Sequence, residues 1–343
     1  MAQIVTADWH IEQDNHALID SLTTQLISGG KEREIDTLLI LGDIFESRRA
    51  QPLANLSFFG SQLEKFAEHE MKVIAIPGNH DKIDQESTLS YLKEFQYHPN
   101  FIVIPDYNFL DIGKNRLHFI PYFKEETAYL SRIPQIKMDK KRENVLFTHV
   151  AVTGVKNNDN TEVANSLKLG MFVGFHSVFV GHYHNKSRVG KNIYYMGSLY
   201  PRAFGEDQDK GFLVLNDDLT FDEFYLDFPK FLKVRIDANI VSIKEIDKLI
   251  GQYKNSKDHI RFSFSGKPVK LKALDPNKFE EVGIDVEFKQ EEVEKAISDV
   301  ESGEIVYFDK QQIYKEFETF CDQNELGSRH IGLKYLKTIL KDG

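Results

Sequence analysis

Five short apolar runs within the first 184 residues each stop abruptly at a polar cluster. Ile4 to Ala7 gives way to Asp8-Trp9-His10, Thr37 to Leu41 to Gly42-Asp43, and Lys72 to Pro77 to Gly78-Asn79-His80-Asp81. Val145 to Thr148 ends at His149, and Ser177 to Val180 at Gly181-His182-Tyr183-His184. Runs of about five apolar residues read as strands buried on both faces. Between the first three lie segments at 15–29 and 53–70 with helical patterning; the second carries Leu53, Leu56, Phe59, Leu63 and Phe66 on one stripe. Strand and helix in alternation predict an α/β layered domain. In an open sheet of that kind the carboxyl ends of the strands converge on one edge, so clusters remote in sequence meet in space.

What would meet there is a ligand set: Asp8, Asp43, Asn79, His10, His149, His182 and His184. A mixture of oxygen and nitrogen donors suits manganese, iron or zinc better than calcium or magnesium, which prefer oxygen alone. Each fragment by itself has a plainer reading. Asp-x-His at a strand end is commonly a turn, Gly-Asn accepts left-handed turn geometry, and a solitary His149 is ordinarily a satisfied core histidine. Five such fragments, each closing an apolar run, point to a metal site instead.

Beyond residue 184, Ile193 to Met196, Gly211 to Leu215 and Glu223 to Phe228 are strand-like and suggest a second sheet. Pro229 opens a different texture. Strands are predicted at 231–237, 258–265 and 283–289, with helices at 241–254 and 275–282, and two short amphipathic helices at 309–324 and 330–341. The chain divides on this reading into 1–229, 230–304 and 305–343. With 343 residues, 53 acids against 43 bases and no long apolar stretch, it is neither disordered nor membrane-spanning by composition. The single cysteine, Cys321, rules out an internal disulfide and fits a cytoplasmic setting. The net charge of -10 argues at first sight against nucleic acid. Residues 230–279, however, hold twelve bases against five acids, including Lys267, Lys270 and Lys272, a run that is either a solvated face or a phosphate contact.

The ordered set D-x-H, G-D, G-N-H-D, H and G-H-x-H resembles the calcineurin-like metallophosphoesterase superfamily over residues 8–184. The resemblance implies two facing sheets flanked by helices, an α/β sandwich with a small α/β capping domain and C-terminal helices. It also implies two divalent ions. Asp8, His10 and His184 would hold one, Asn79, His149 and His182 the other, and Asp43 would bridge. His80 would act on the transition state or leaving oxygen, with Asp81 beside it as the second catalytic residue.

Gly42-Asp43-Ile44-Phe45 departs from the protein phosphatase pattern, as does Gly78-Asn79-His80-Asp81. Both are similar to the nuclease subunit of SbcCD-type DNA repair complexes, as is Gly197-Ser198 followed by Arg202, Glu206 and Lys210-Gly211. Some members carry a further histidine where this chain has Glu46. In size and texture the chain is most similar to phage-encoded forms, which implies the host-cell cytoplasm. That resemblance implies a manganese-dependent DNA endonuclease and 3'-5' exonuclease in double-strand break repair or recombination, with magnesium, iron or zinc as other metals. It implies DNA contacts from Lys267, Lys270, Lys272 and Arg202, and an SbcC-type ABC ATPase bound through the C-terminal helices. A homodimer would form through helices near 53–70 or 85–97. A stand-alone phosphodiesterase or phosphatase for small nucleotides is a second reading, and a DNA-end scaffold for the ATPase a third.

Overall fold

The computed structural model describes residues 2–155, 167–290, 317–321, 332, 333 and 336. In chain order the elements are β1 (Gln3–Thr6), α1 (His16–Glu32), β2 (Thr37–Leu41), α2 (Leu53–Ala67), β3 (Lys72–Ile76), β4 (Phe101–Val103), β5 (Asn108–Ile112) and β6 (Asn115–Ile120). There follow β7 (Glu143–His149), β8 (Ser177–Gly181), β9 (Ser187–Val189), β10 (Ile193–Tyr195), β11 (Gly211–Leu215) and β12 (Phe221–Tyr225). The last are β13 (Phe231–Asp237), α3 (Ile243–Tyr253), β14 (His259–Gly266), α4 (Pro268–Lys272), α5 (Asn277–Glu280) and β15 (Ile284–Gln290).

Two six-stranded sheets result, ordered β12-β11-β1-β2-β3-β4 and β5-β6-β7-β8-β10-β9. Side chains alternate across a strand, so a continuous apolar run must be covered on both faces. Val5, Leu39, Leu41, Ile74 and Ile76 of the first sheet share a core with Leu117, Phe119, Val145, Phe147 and Phe179 of the second. Their neighbours Ile4, Leu38, Ile40 and Val73 face the other way, onto Ile19, Leu22 and Leu26 of α1 and Phe59, Leu63 and Phe66 of α2. On the far side, Leu146, Val178 and Val180 pack with Phe172, Val150 and Tyr129. The expected sandwich of two sheets with helices is therefore present.

Several details differ from the sequence reading. The strands that carry His149 and His182 belong to the second sheet, whereas β11 and β12 join the first, β11 antiparallel to β1. Apolar patterning marks a strand but not its partner. Residues 85–97 form no long helix; they hold a 3-10 turn at Tyr91–Phe95. Strands β4 to β6 were not expected, because β4 is three residues long and β5 is an edge strand of mixed exposure. The predicted helices at 309–324 and 330–341 lie outside the described residues except for 317–321 and three single positions. Among the described residues no helix is long and apolar enough to cross a membrane.

Among the described residues two compact units are present: those up to 233 with 255–261, and 234–254 with 262–290. The second is built on a sheet ordered β13-β14-β15. Phe262 and Phe264 pack against Phe279 of α5, with ring centroids 5.9 and 5.5 Å apart.

Phe147 is fully buried between the sheets, stacked on Phe119 at 5.3 Å and on Phe179 at 5.6 Å. Phe147→Ala should cost about 3–5 kcal/mol. Urea unfolding followed by circular dichroism measures it, and a loss under about 1 kcal/mol would show that the two sheets do not depend on this contact.

Candidate metal centre

Strands β1, β2 and β3 run parallel, as do β7 and β8. Their carboxyl ends therefore deliver the polar clusters to one end of the sandwich. The segments after β1 and β2 continue side by side, with Asp8 N donating to Gly42 O at 3.0 Å, His10 N to Asp43 O at 3.0 Å and Ile11 N to Ile44 O at 2.8 Å. Trp9, between the two ligands, is fully buried and donates from Nε1 to Thr6 Oγ1 at 3.0 Å, while Asp8 and His10 emerge on the other side. Gly42 has φ +85°, and a Cβ there would lie 2.5 Å from His149 Nδ1 and 2.7 Å from Gly78 Cα. Glycine is required at that crossing by both conformation and space.

The seven predicted ligands come together in two groups. Donor atoms of Asp8, His10 and His184 lie within 4.8 Å of one another, as do those of Asp43, His149 and His182. Asn79 sits in the second group, its amide 3.0 Å from His149 Nε2 and 2.8 Å from His182 Nδ1. Asp43 stands between the groups, with Oδ2 3.3 Å from His149 Nε2 and 4.0 Å from His10 Nε2.

A cation fits both groups. In the first, His10 and His184 present Nε2 to Nε2 at 3.1 Å. Their other nitrogens face carboxylates, His184 Nδ1 at 3.0 Å from Glu206 Oε1 and His10 Nδ1 at 2.7 Å from Glu46 Oε2. With the protons on Nδ1, two lone pairs confront each other, which a metal resolves. Burial also lowers His10 to about 4, with Arg202 and His184 adding to the effect against the pull of Glu46. Burial, then repulsion by His149, lowers His182 to about 3. Both are neutral imidazoles, as ligation needs. Asp8 is fully buried and pushed up to about 7, chiefly by that burial and further by Asp43, against the attraction of His149 and His184. A bound cation would further stabilise the ionised form of such a carboxyl. His149 donates from Nδ1 to Leu41 O at 2.7 Å, leaving Nε2 for the site.

Residues outside the ligand set hold these orientations. Glu206 is buried between His184 and the equally buried Lys210, whose Nζ lies 3.0 Å from Glu206 Oε2 and also donates to His184 O and Ser198 Oγ. Burial alone would raise Glu206, but His184 and Lys210 outweigh it and hold the carboxyl at about 2. Glu46 is held against His10 by Arg202, whose Nη1 lies 2.8 Å from Glu46 Oε2 while Nη2 reaches Glu12 Oε1 at 3.3 Å. The guanidinium of Arg202, a predicted DNA contact, pairs with these two carboxylates.

His80 lies at the partly open rim. Its backbone N donates to Asp43 Oδ1 at 2.8 Å, its Nδ1 lies 2.5 Å from Glu46 O, and its Nε2 lies 3.0 Å from Arg48 Nη2. Asp81, expected beside it in catalysis, is wholly buried and accepts from the backbone of Gly78 (2.8 Å), Phe45 (3.0 Å) and Ile44 (3.3 Å). Such a carboxylate ties the loop after β3 to the loop after β2. Lys267, Lys270 and Lys272 are exposed in the second unit, the last two on α4. Sequence reasoning did not assign roles to Glu206, Lys210 and Arg48. The spacing Glu206-x-x-x-Lys210, directly after the last histidines, was the available signal.

The profile of the calcineurin-like phosphoesterase family matches residues 1–186. Among solved structures, the chain is similar to a dimetal phosphatase from Danio rerio, at 12% identity over 62% of this chain and 91% of that one, TM-score 0.40. It is similar to GAP50, the anchor in the inner membrane complex of Plasmodium, at 12% over 62% and 80%, TM-score 0.43. It is also similar to the nuclease MPE of Pseudomonas putida, at 17% over 47% and 66%, TM-score 0.27.

Removing the carboxylate behind His184 should loosen that ligand and leave Lys210 buried without its partner. Glu206→Ala is expected to weaken metal binding at the Asp8, His10 and His184 group by about 10- to 100-fold. Calorimetric titration of metal into the metal-free protein reads this directly, and unchanged affinity would remove Glu206 from the support of the site.

Proposed function

The chain belongs to the calcineurin-like phosphoesterase family, whose members hydrolyse phosphoesters with divalent metals, and from that premise we propose that it is a manganese-dependent DNA nuclease. The reading names an endonuclease and 3'-5' exonuclease that works with a coiled-coil ABC ATPase in break repair or recombination. One observation carries the choice among phosphoesters. The segment that resembles the nuclease subunits, Gly197 to Lys210, is built into the site: Glu206 and Lys210 hold His184, and Arg202 holds Glu46 against His10.

Asp8, His10 and His184 would hold one metal and Asn79, His149 and His182 the other, with Asp43 shared. When bound, the pair supplies activation of water and electrostatic stabilisation of a phosphoryl group. The chain's own residues do the rest. Glu206 keeps the Nδ1 proton of His184 turned away from the site, and Glu46 lies 2.7 Å from His10 Nδ1. Asp81 fixes the loop that bears Asn79 and His80. His80, anchored at Nδ1 by Glu46 O, presents Nε2 at the rim, where it can hold or move a proton at the leaving oxygen. Lys267, Lys270 and Lys272 would supply phosphate contacts, and the C-terminal helices the ATPase surface.

Purified protein with end-labelled duplex and single-stranded DNA, in manganese, magnesium or chelator, tests the proposal. Cleavage in manganese and none in chelator is expected. Turnover of a chromogenic phosphodiester with DNA left intact would replace the nuclease reading with a phosphodiesterase for small substrates. His80→Gln should slow DNA cleavage by about 10²–10⁴-fold with metal content unchanged; undiminished cleavage would reject its role. Deleting residues 305–343 should abolish ATPase association in co-purification while sparing DNA cleavage. Retained association would exclude the tail as the contact.

A further inference from the structure

We propose that the cavity between the two sheets, at the edge formed by β9 and β12, is a binding site for a mononucleotide and is separate from the metal centre. The inference rests on that cavity and not on DNA as the substrate. The first sheet ends in β11 and β12 and the second in β10 and β9, and here the sheets part around a volume of about 320 Å³. Ligand pockets run from roughly 300 to 1,000 Å³, so this one suits a single nucleotide and is too small for an oligonucleotide. None of the seven predicted metal ligands is among its lining residues. Along β11, Leu213 and Leu215 face into the core between the sheets. Gly211 is the next position on that face and brings no side chain. None could be placed there, because a Cβ would collide with the Phe224 carbonyl. The core is thus cut short at its edge.

The walls of the cavity are apolar and its mouth is charged. Leu213, Met196, Tyr194 and Phe221 line it, the two rings meeting edge to face with centroids 5.0 Å apart. Aromatic and thioether side chains of this kind accept a planar ring. Within the same wall, Ser187 Oγ is enclosed and has no hydrogen-bond partner among the described residues. A buried hydroxyl in that state calls for a polar group from a ligand. At the mouth, Lys186 Nζ lies 2.8 Å from Glu223 Oε2 and so ties the segment before β9 to β12. Arg188 is exposed, with its guanidinium 5.2 Å from the centre of the Tyr194 ring and Nη2 donating to Lys191 O. Its planar fork can pair with a phosphate while lying against a ring. Two bases against one acid leave the lining with surplus positive charge. Apolar ring walls, an unpaired hydroxyl and a cationic mouth match a base, a sugar and a phosphate.

Calorimetric titration of adenosine monophosphate into the full-length protein in chelator tests the proposal, and one equivalent should bind. Adenosine, which lacks the phosphate, should bind about tenfold more weakly through loss of a charge-assisted contact. Arg188→Ala, at an exposed position that leaves the core intact, should lower the affinity for adenosine monophosphate about tenfold and leave that for adenosine unchanged. Phe221→Leu keeps an apolar side chain without the ring and should weaken both about tenfold. Absence of binding overturns the proposal. So does binding that Arg188→Ala and Phe221→Leu both leave untouched, which would put the nucleotide elsewhere on the protein. Displacement of adenosine monophosphate by an equal concentration of inorganic phosphate would reveal an anion site without ring recognition, and would overturn it as well. Chelator removes turnover from every arm, so failure of the nuclease reading is distinguishable from failure of this one.

Discussion

Two carboxylates, Asp8 and Asp43, are buried at the meeting point of two sheets, and the rest of the site is arranged around that burden. Taking a carboxylate out of water costs several kcal/mol unless the protein answers it. The chain answers partly with backbone amides: His182 N donates to both oxygens of Asp8, at 3.0 and 3.1 Å, and His80 N to Asp43 at 2.8 Å. The cations nearest by design, Lys210 and Arg202, are spent on Glu206 and Glu46 behind the imidazoles. Within the pocket, burial alone would lower His149, but Asp43, with Oδ2 at 3.3 Å, and then Asp8 raise it to about 9. A metal bound there would replace the His149 ring proton as the positive charge between the two carboxylates.

Holding that arrangement strains the backbone. Asp8, His10, Asp43 and His182 have φ of 54°, 50°, 51° and 98°, values that side-chain-bearing residues avoid. Each such residue costs of order 1–3 kcal/mol and persists only where its surroundings over-determine it. Here they do: the loops after β1 and β2 are paired by backbone hydrogen bonds, Asp81 laces the third loop to the second, and Trp9 anchors the first in the core. The core between the sheets therefore acts on function directly, since it supplies the rigidity that keeps four ligands in unfavourable conformations.

That dependence explains what was legible in the sequence. Strands β1, β2, β3, β7 and β8 were readable because both their faces are buried, which leaves an unbroken apolar run with a sharp end. The ligands were readable because each sits at such an end. Strand β5 was not, since its partial exposure leaves polar residues such as Asp111 within it. The membership of β11 in the first sheet was not, because pairing with β1 is decided by long-range register. The partners of Asp81 were hidden for a related reason. Its place beside His80 suggested chemistry, but in a tight loop adjacent side chains point apart, and only the fold reveals three backbone amides around its carboxylate.

The acidic balance of the chain takes on a different meaning once the site is in view. A net charge of -10 includes Asp8, Asp43, Glu46 and Glu206, all of them turned inward onto histidines or amides or awaiting metal. Two divalent ions would offset four of those charges where a phosphate is expected to react. The exposed bases Lys267, Lys270 and Lys272 lie in a separate compact unit. For a polyanion the relevant field is local, because beyond about 8–10 Å salt screens the remainder. An acidic average is therefore compatible with a phosphate-binding centre, but it supplies no long-range attraction for a duplex. A nuclease of this composition would depend on a partner to hold the substrate.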